Sequence, residues 1–541
     1  MSVDSAYYAV HAHPRSEGSF EISIQSDPDS VYRVDTGLAT RIKIMLKNLF
    51  RSHRARKESL ESDAKAADSK GDFPGLVAAR RSLVELEPRN AESWLALAEA
   101  YRSAGEPRES VRAFHAALEH GAPAAKTHLQ LGALYLSLED YAAAKKHFES
   151  VVAAEPDHAD ALCMLGVVMN DLGQFRDAVG YFERALKINP AFAEAYFNLG
   201  LAQFETADFG AASRSFVHCV ELRRGKPWSA DRLTPLQHDP APPFEPMDMA
   251  VNEVKLRHDC EQLEHLLQLG KLPPAYGKVL DDYRSLLDKI RGHGDEFSLL
   301  PFDPQQHRLV ARTYKRPVHI SDEPPPSGPL INPDLDFREI EERYLAANPN
   351  LATLDNLLTQ EALDALRRFC RESTIWNNIK PGYLGAYFFD GFCSELLFRL
   401  AWELRERLPR VIRGLPLQMM WGYKCDATLP GLGIHADAAA VNVNFWITED
   451  EANLDPECGG LLVYEHDAPK DWGFRKFNND SATIREYLES VGSVPKRVPY
   501  RANRAVIFDS DLFHATDSPR FQEGYLKRRI NITLLYGNRS M

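Results

Sequence analysis

The segment Gly433-Ile434-His435-Ala436-Asp437 places an imidazole and a carboxylate two residues apart. On an extended segment residues i and i+2 project to the same side, so His435 and Asp437 can grip one ion together. A second imidazole, His514, follows in Ala505-Val506-Ile507-Phe508-Asp509-Ser510-Asp511-Leu512-Phe513-His514. Two imidazoles and one carboxylate on one face of a transition metal leave positions open for substrate and oxygen. This is the ligand logic of non-haem Fe(II) oxygenases. Zinc accepts the same donors. An isolated His-x-Asp is a weak signal, because a lone histidine on a strand more often makes a structural hydrogen bond.

A third element strengthens it. Arg528-Arg529-Ile530-Asn531-Ile532-Thr533-Leu534-Leu535-Tyr536 comes after His514. Alternation puts Arg528, Ile530, Ile532 and Leu534 on one face, and Arg529, Asn531, Thr533 and Leu535 on the other. A polar face on a strand after the distal histidine suits a dicarboxylate, which the planar fork of arginine binds bidentately. Arg529 is the expected anchor and Arg528 its rival, since strand parity is inferred. Tyr423, Lys424, Asn442 and Asn444 either line the pocket or serve strand packing. His466 adjoins Asp467, but consecutive strand residues point apart, so that pair is not expected to chelate. Gly459-Gly460 reads as a bulge rather than a phosphate loop.

Short β-rich runs must position these groups. They are 418–424, 441–448, 460–464, 505–508 and 530–536, punctuated by Gly and Pro and preceded by a helix over 361–372. Several short strands without long helices between them indicate an antiparallel sandwich or barrel.

The combination of His435-x-Asp437, Asn503-Arg504-Ala505-Val506-Ile507-Phe508 before His514, and Arg529-x-Asn531 resembles the Fe(II)- and 2-oxoglutarate-dependent dioxygenases of the prolyl-hydroxylase-like superfamily. The resemblance covers roughly residues 350–541. It implies a double-stranded β-helix, a jelly roll of the cupin kind. It also implies iron held by His435, Asp437 and His514, with 2-oxoglutarate and O2 as cosubstrates. The Arg-x-Asn pattern is similar to that of the alkylation-repair members, which implies Arg529 on the distal carboxylate with Asn531 assisting; Tyr423 joins them as a candidate cosubstrate residue. The implied chemistry is decarboxylation to succinate and hydroxylation of an unactivated C–H bond. Halogenating relatives have a small non-ligating residue where Asp437 stands. Aspartyl/asparaginyl β-hydroxylases lack the metal carboxylate. Collagen prolyl hydroxylases also place helical repeats before the oxygenase domain, but their substrate cannot be carried over.

Repeats fill the first half. Gly71, Gly105, Glu139, Gly173 and Ala207 mark a turn at a constant step of 34 residues. Trp94, His128, Leu162 and Tyr196 keep the same step, as do Leu97, Leu131, Leu165 and Leu199. So do Ala98, Gly132, Gly166 and Gly200, and Phe114, Phe148, Phe182 and Phe216. Each unit reads as two amphipathic helices, with the small residue permitting close approach and the Phe filling the space between neighbouring units. Pro88, Pro156 and Pro190 close units. This resembles the tetratricopeptide family, with about five units over 54–226.

The expected organisation is therefore a multidomain chain: an all-α tetratricopeptide solenoid followed by the oxygenase domain. An N-terminal extension spans 1–53; its first 37 residues show no pattern, and Arg41 to Phe50 and Arg51 form a basic amphipathic stretch. Two readings stand for that stretch: a helix capping the array, which is the commoner case, and a helix lying on a membrane surface. The repeats span 54–226, Pro-rich linkers with a helical insert at 249–292 span 227–345, and the oxygenase domain spans 346–541.

Of 541 residues 44% are hydrophobic and 26% charged, which excludes a mostly disordered chain. The net charge of −13 argues against a general nucleic-acid binder. No run of about 18 apolar residues suggests a transmembrane helix, and the start does not read as a secretory signal. The seven cysteines are scattered without Cys-x-x-Cys, in keeping with a reducing, cytoplasmic setting. The expected activity is hydroxylation of a protein or peptide recruited by the repeats; a homo-oligomer is compatible with them. The alternatives are an oxygenase for a small molecule or glycan, with the repeats used for assembly, and a non-catalytic repeat scaffold.

Overall fold

A computed structural model describes residues 10–15, 19–24, 31–225, 250–292, 298–310, 313–321, 323–380, 383–425 and 431–539. The proline-rich connector at 227–246 lies outside the described residues. The chain divides into two compact units, Met1–Val168 and Met169–Met541. No helix among the described residues is long and apolar enough to cross a membrane.

The first unit opens with an antiparallel sheet of β1 (Val10–Arg15), β2 (Ser19–Ile24) and β3 (Val31–Asp35), where the sequence carried no readable pattern. Helix α1 (Thr36–Ser69) follows, then α2 (Phe73–Leu86), α3 (Ala91–Ser103), α4 (Pro107–Glu119), α5 (Ala124–Ser137) and α6 (Tyr141–Ala154), and the division falls within α7 (Ala159–Asp171). The turn column has a backbone cause. Gly71, Gly105, Glu139, Gly173 and Ala207 all adopt positive φ, between 59° and 73°. Glycine accepts that conformation without strain; Glu139 and Ala207 bear it at a cost. The following aspartates cap the next helix: Asp72 accepts from the Gly75 N–H and Asp140 from the Ala143 N–H. The glycine and phenylalanine columns explain each other. A Cβ on Gly132 would stand 2.5 Å from the Phe148 ring. Phe148 thus packs against the first helix of its own repeat.

The second unit contains α8 (Phe175–Ile188), α9 (Ala193–Glu205) and α10 (Phe209–Arg224). Gly200 repeats the close approach, 2.6 Å from the Phe216 ring. Beyond the undescribed connector come β4 (Ala250–Val251), α11 (Glu253–Gln268), α12 (Tyr276–Ile290), β5 (Leu300–Pro301), α13 (Pro304–Val310) and α14 (Phe337–Ala346). The helical insert expected at 249–292 consists of α11 and α12, with Pro273 and Pro274 in the break between them.

The remaining elements are β6 (Leu351–Leu354), α15 (Gln360–Glu372), β7 (Asn378–Lys380), β8 (Tyr383–Tyr387), α16 (Glu395–Arg407), β9 (Leu417–Cys425), β10 (Val441–Trp446), β11 (Leu461–Asp467), α17 (Phe474–Asn479), α18 (Ser481–Ser490), β12 (Pro495–Val498), β13 (Ala505–Asp509), β14 (Leu512–Thr516) and β15 (Arg529–Tyr536). They build a seven-stranded antiparallel sheet, ordered β6-β13-β10-β15-β9-β8-β7, and a three-stranded one, β12-β11-β14.

The large sheet has two different faces. Val443, Phe445, Ile507, Ile530, Ile532 and Leu534 join one buried cluster with α15, α16 and, from the last repeat, Phe204, Ala212 and Phe216. That repeat is therefore part of the sheet domain's core. Arg224 of α10 pairs with Asp390, and Arg405 of α16 with Glu205 of α9, both largely buried. On the other face Trp446, Val506 and Phe508 meet Leu461, Val463, Val498 and Leu512 of the small sheet. The polar residues of the site emerge on this face.

Candidate metal centre

Strand alternation and a short loop bring the three predicted ligands together. The His435 N–H donates to the His514 carbonyl (3.0 Å) and the His514 N–H to the His435 carbonyl (2.8 Å), so an isolated bridge holds the two imidazoles side by side. The Asp437 N–H donates to the Ser510 carbonyl at 3.1 Å. Asp437 then lies 3.8 Å from His435 Nε2 and 3.5 Å from His514 Nε2. One donor atom from each of the three falls within 4.8 Å of the others.

The supporting bonds orient the donors. His435 Nδ1 faces the Gly433 carbonyl at 2.9 Å and His514 Nδ1 the Leu512 carbonyl at 3.1 Å. A proton on each Nδ1 leaves the Nε2 lone pair toward the centre. Asn442 Nδ2 donates to Asp437 Oδ2 at 2.8 Å. Burial, with the neighbouring His514, lowers the His435 pKa to about 4. Burial opposes ionisation of Asp437, but the neighbouring His514 and His435 and the Asn442 amide together hold its pKa below the ordinary value. At neutral pH His435 is neutral and Asp437 charged, the form that ligates metal.

The donors open on a pocket whose lining includes Trp421, Tyr423, Asn444, Arg529, Asn531 and Thr533. Arg529 is only 1% exposed. Its Nε donates to the Gly459 carbonyl at 2.7 Å and its Nη2 to the Gly460 carbonyl at 3.2 Å, while Nη1 has no partner. Asn531 and Asn444 each donate to Thr533 Oγ1 at 3.2 Å, and both leave their Oδ1 unpartnered. The Tyr423 ring lies tilted against that of Tyr383, with centroids 4.2 Å apart, and its hydroxyl lies 3.4 Å from that of Tyr387.

Other candidates fall elsewhere. Arg528 faces away, donating to Glu261 of α11 at 2.8 Å. Lys424 also leaves the pocket: its Nζ meets the Cys370 carbonyl (3.1 Å), Tyr525 (3.2 Å) and His258 (3.3 Å). Asn442 serves Asp437 rather than the pocket wall. His466 does not join the three-residue group. The register shift in β11 lies between Val463 and Asp467, not at Gly459-Gly460. Those glycines instead offer carbonyls to Arg529, and a Cβ on Gly460 would stand 1.9 Å from the Val498 carbonyl oxygen. Sequence reasoning placed Thr533 on the polar face with Arg529, and it missed Trp421, which stands two residues from Tyr423 on the same strand face.

The tetratricopeptide repeat family matches residues 123–191 and, in a second form, 171–213. The chain carries tetratricopeptide repeats. Among solved structures, the MamA protein is similar at 24% identity with a TM-score of 0.29, over 31% of this chain and 92% of that one. MamA from Desulfovibrio magneticus RS-1, residues 41 to the end, gives 20%, 0.29, 31% and 94%. YrrB, described as a TPR protein with an unusual peptide-binding site, gives 17%, 0.27, 31% and 92%. No curated protein sequence matches the chain. The repeats form a tetratricopeptide-type interaction scaffold, and the antiparallel sheet domain carries the His435, Asp437 and His514 cluster.

Proposed function

We propose that the C-terminal domain is a double-stranded β-helix of the Fe(II)- and 2-oxoglutarate-dependent kind, and that it hydroxylates a protein or peptide recruited by the repeats. The observation that carries the reading is the pairing of a 2-His-1-carboxylate set with an unpartnered buried guanidinium nitrogen in one pocket. The donor set suits Fe(II) and leaves positions open. The orphaned Arg529 Nη1 suits a carboxylate, since a buried donor without an acceptor carries a desolvation cost that such a ligand removes.

Bound iron would supply the redox chemistry that couples 2-oxoglutarate decarboxylation to C–H hydroxylation. The chain's own residues prepare the site. The Gly433 and Leu512 carbonyls fix both imidazole rings, and Asn442 fixes the carboxylate. Gly459 and Gly460 hold the Arg529 fork so that Nη1 stays available to the cosubstrate. The aromatic rings of Trp421 and Tyr423 exclude water from that side of the pocket.

The test uses the full chain. Purified protein is incubated anaerobically with Fe(II), 2-oxoglutarate and cell extract, and oxygen is then admitted. Succinate release matched by the gain of one oxygen atom in a polypeptide supports the proposal. Oxygen gain in a small molecule or glycan shifts the substrate class. No succinate from protein that binds Fe(II) favours the non-catalytic scaffold.

A further inference from the structure

Helix α1 has two halves of opposite character. From Lys57 onward it belongs to the packed repeats: Lys57 donates to Glu87 at 2.9 Å, and Ala64 and Ala67 are buried. Toward the N-terminus every residue from Asn48 to Arg56 is exposed, as are Arg41, Ile44, Met45 and Lys47. Met45 is 63% exposed, Leu49 63% and Phe50 71%. Such side chains normally find cover, and here none of the described residues gives it.

Their arrangement is ordered. At 3.6 residues per turn, Met45, Leu49 and Phe50 span an arc of about 140°, and Lys47, Arg51 and Arg54 occupy roughly the next 100°. Ile44 is exposed outside that arc. The charge is one-sided. Between Thr36 and Lys57 stand Arg41, Lys43, Lys47, Arg51, Arg54, Arg56 and Lys57, with no Asp or Glu, in a chain whose net charge is −13. Glu58, paired with Arg54, closes the run.

We propose that this half-helix docks the protein on an anionic lipid surface. Leu49 and Phe50 enter the boundary between headgroups and acyl chains, and the flanking lysines and arginines lie among the anionic headgroups. Charge selects this occupant. Two copies meeting through the face would bring their cationic runs together, and a nucleic acid would leave the apolar arc uncovered.

The test sediments the full chain with phosphatidylcholine vesicles, with and without phosphatidylserine. The expected result is binding that depends on phosphatidylserine and weakens as salt rises. The double substitution Leu49→Ser with Phe50→Ser should weaken it roughly ten- to a hundredfold, with the helical circular dichroism unchanged because both side chains are already exposed. Lys47→Glu with Arg51→Glu should remove the phosphatidylserine dependence. No binding to anionic vesicles, or binding equal with and without phosphatidylserine, overturns the proposal. So does binding unaffected by the Leu49/Phe50 change. Light scattering decides the alternative: self-association abolished by Leu49→Ser with Phe50→Ser assigns the face to a second copy instead.

Discussion

Replacing Arg529 by lysine should cripple cosubstrate binding while the same loss of a cation next door should not. The Arg529 fork uses two nitrogens on the Gly459 and Gly460 carbonyls and keeps Nη1 for a ligand. A lysine ammonium is a point charge and cannot serve all three directions in that geometry. Losing one charge-assisted bond costs about 1.5–3 kcal/mol, or roughly ten- to a hundredfold in affinity. Arg528 supplies the control. It immediately precedes β15, points away from the pocket and bonds to Glu261, which is partly exposed, so Arg528→Gln should cost about 1 kcal/mol of stability. It should leave 2-oxoglutarate affinity within about twofold. The assay is an anaerobic titration of 2-oxoglutarate into Fe(II)-loaded protein, followed by succinate release at saturating and limiting cosubstrate. Equal weakening by Arg528→Gln and Arg529→Lys, or no effect of Arg529→Lys, would refute the assignment of the pocket.

Other substitutions test other parts of the argument. Asp437→Ala should abolish Fe(II)-dependent succinate formation without changing the thermal transition of the repeats, read by calorimetry; full turnover would remove Asp437 from the metal set. Gly460→Ala places a methyl group against the Val498 carbonyl and should destabilise the chain by about 1–3 kcal/mol in urea titration. Glu205→Ala leaves the buried Arg405 without its carboxylate and should cost about 3 kcal/mol, measured the same way. His147 has its pKa lowered to about 4, first by burial and then by His128 and His115. Its unfolded form takes up a proton near pH 6.5 and the folded form does not. Stability should therefore be full above about pH 6.5 and fall by at most about 3 kcal/mol as pH drops toward 4; His147→Gln should flatten that slope.

What the sequence made legible depended on periodicity. A step of 34 residues located all five turns because each needs a positive φ at one position. Alternation on β15 separated Arg529 from Arg528 correctly by face, but only the structure shows which face meets His435. The strand holding His514 was not foreseen, since Leu512 to Thr516 is short and follows β13 after two residues. Gly459 and Gly460 were read for their backbone freedom, whereas their carbonyls hold the guanidinium. Glu261 could not have been paired with Arg528 by any local pattern, because the two are joined only through the docking of α11.

The burial of Phe204 and Phe216 among sheet-domain residues has a consequence for how the gene can be cut. A fragment beginning at residue 320 would keep every residue of the candidate metal centre yet strip the cover from Phe388, Phe398 and Trp402. The exposed aromatics would invite aggregation, and a defect in such a fragment would report loss of folding rather than loss of the repeats' contribution. Recombination or deletion that spares the sheet domain must leave α9 and α10 attached to it. The amide protons of those two helices should accordingly exchange with solvent in step with those of β9 and β15.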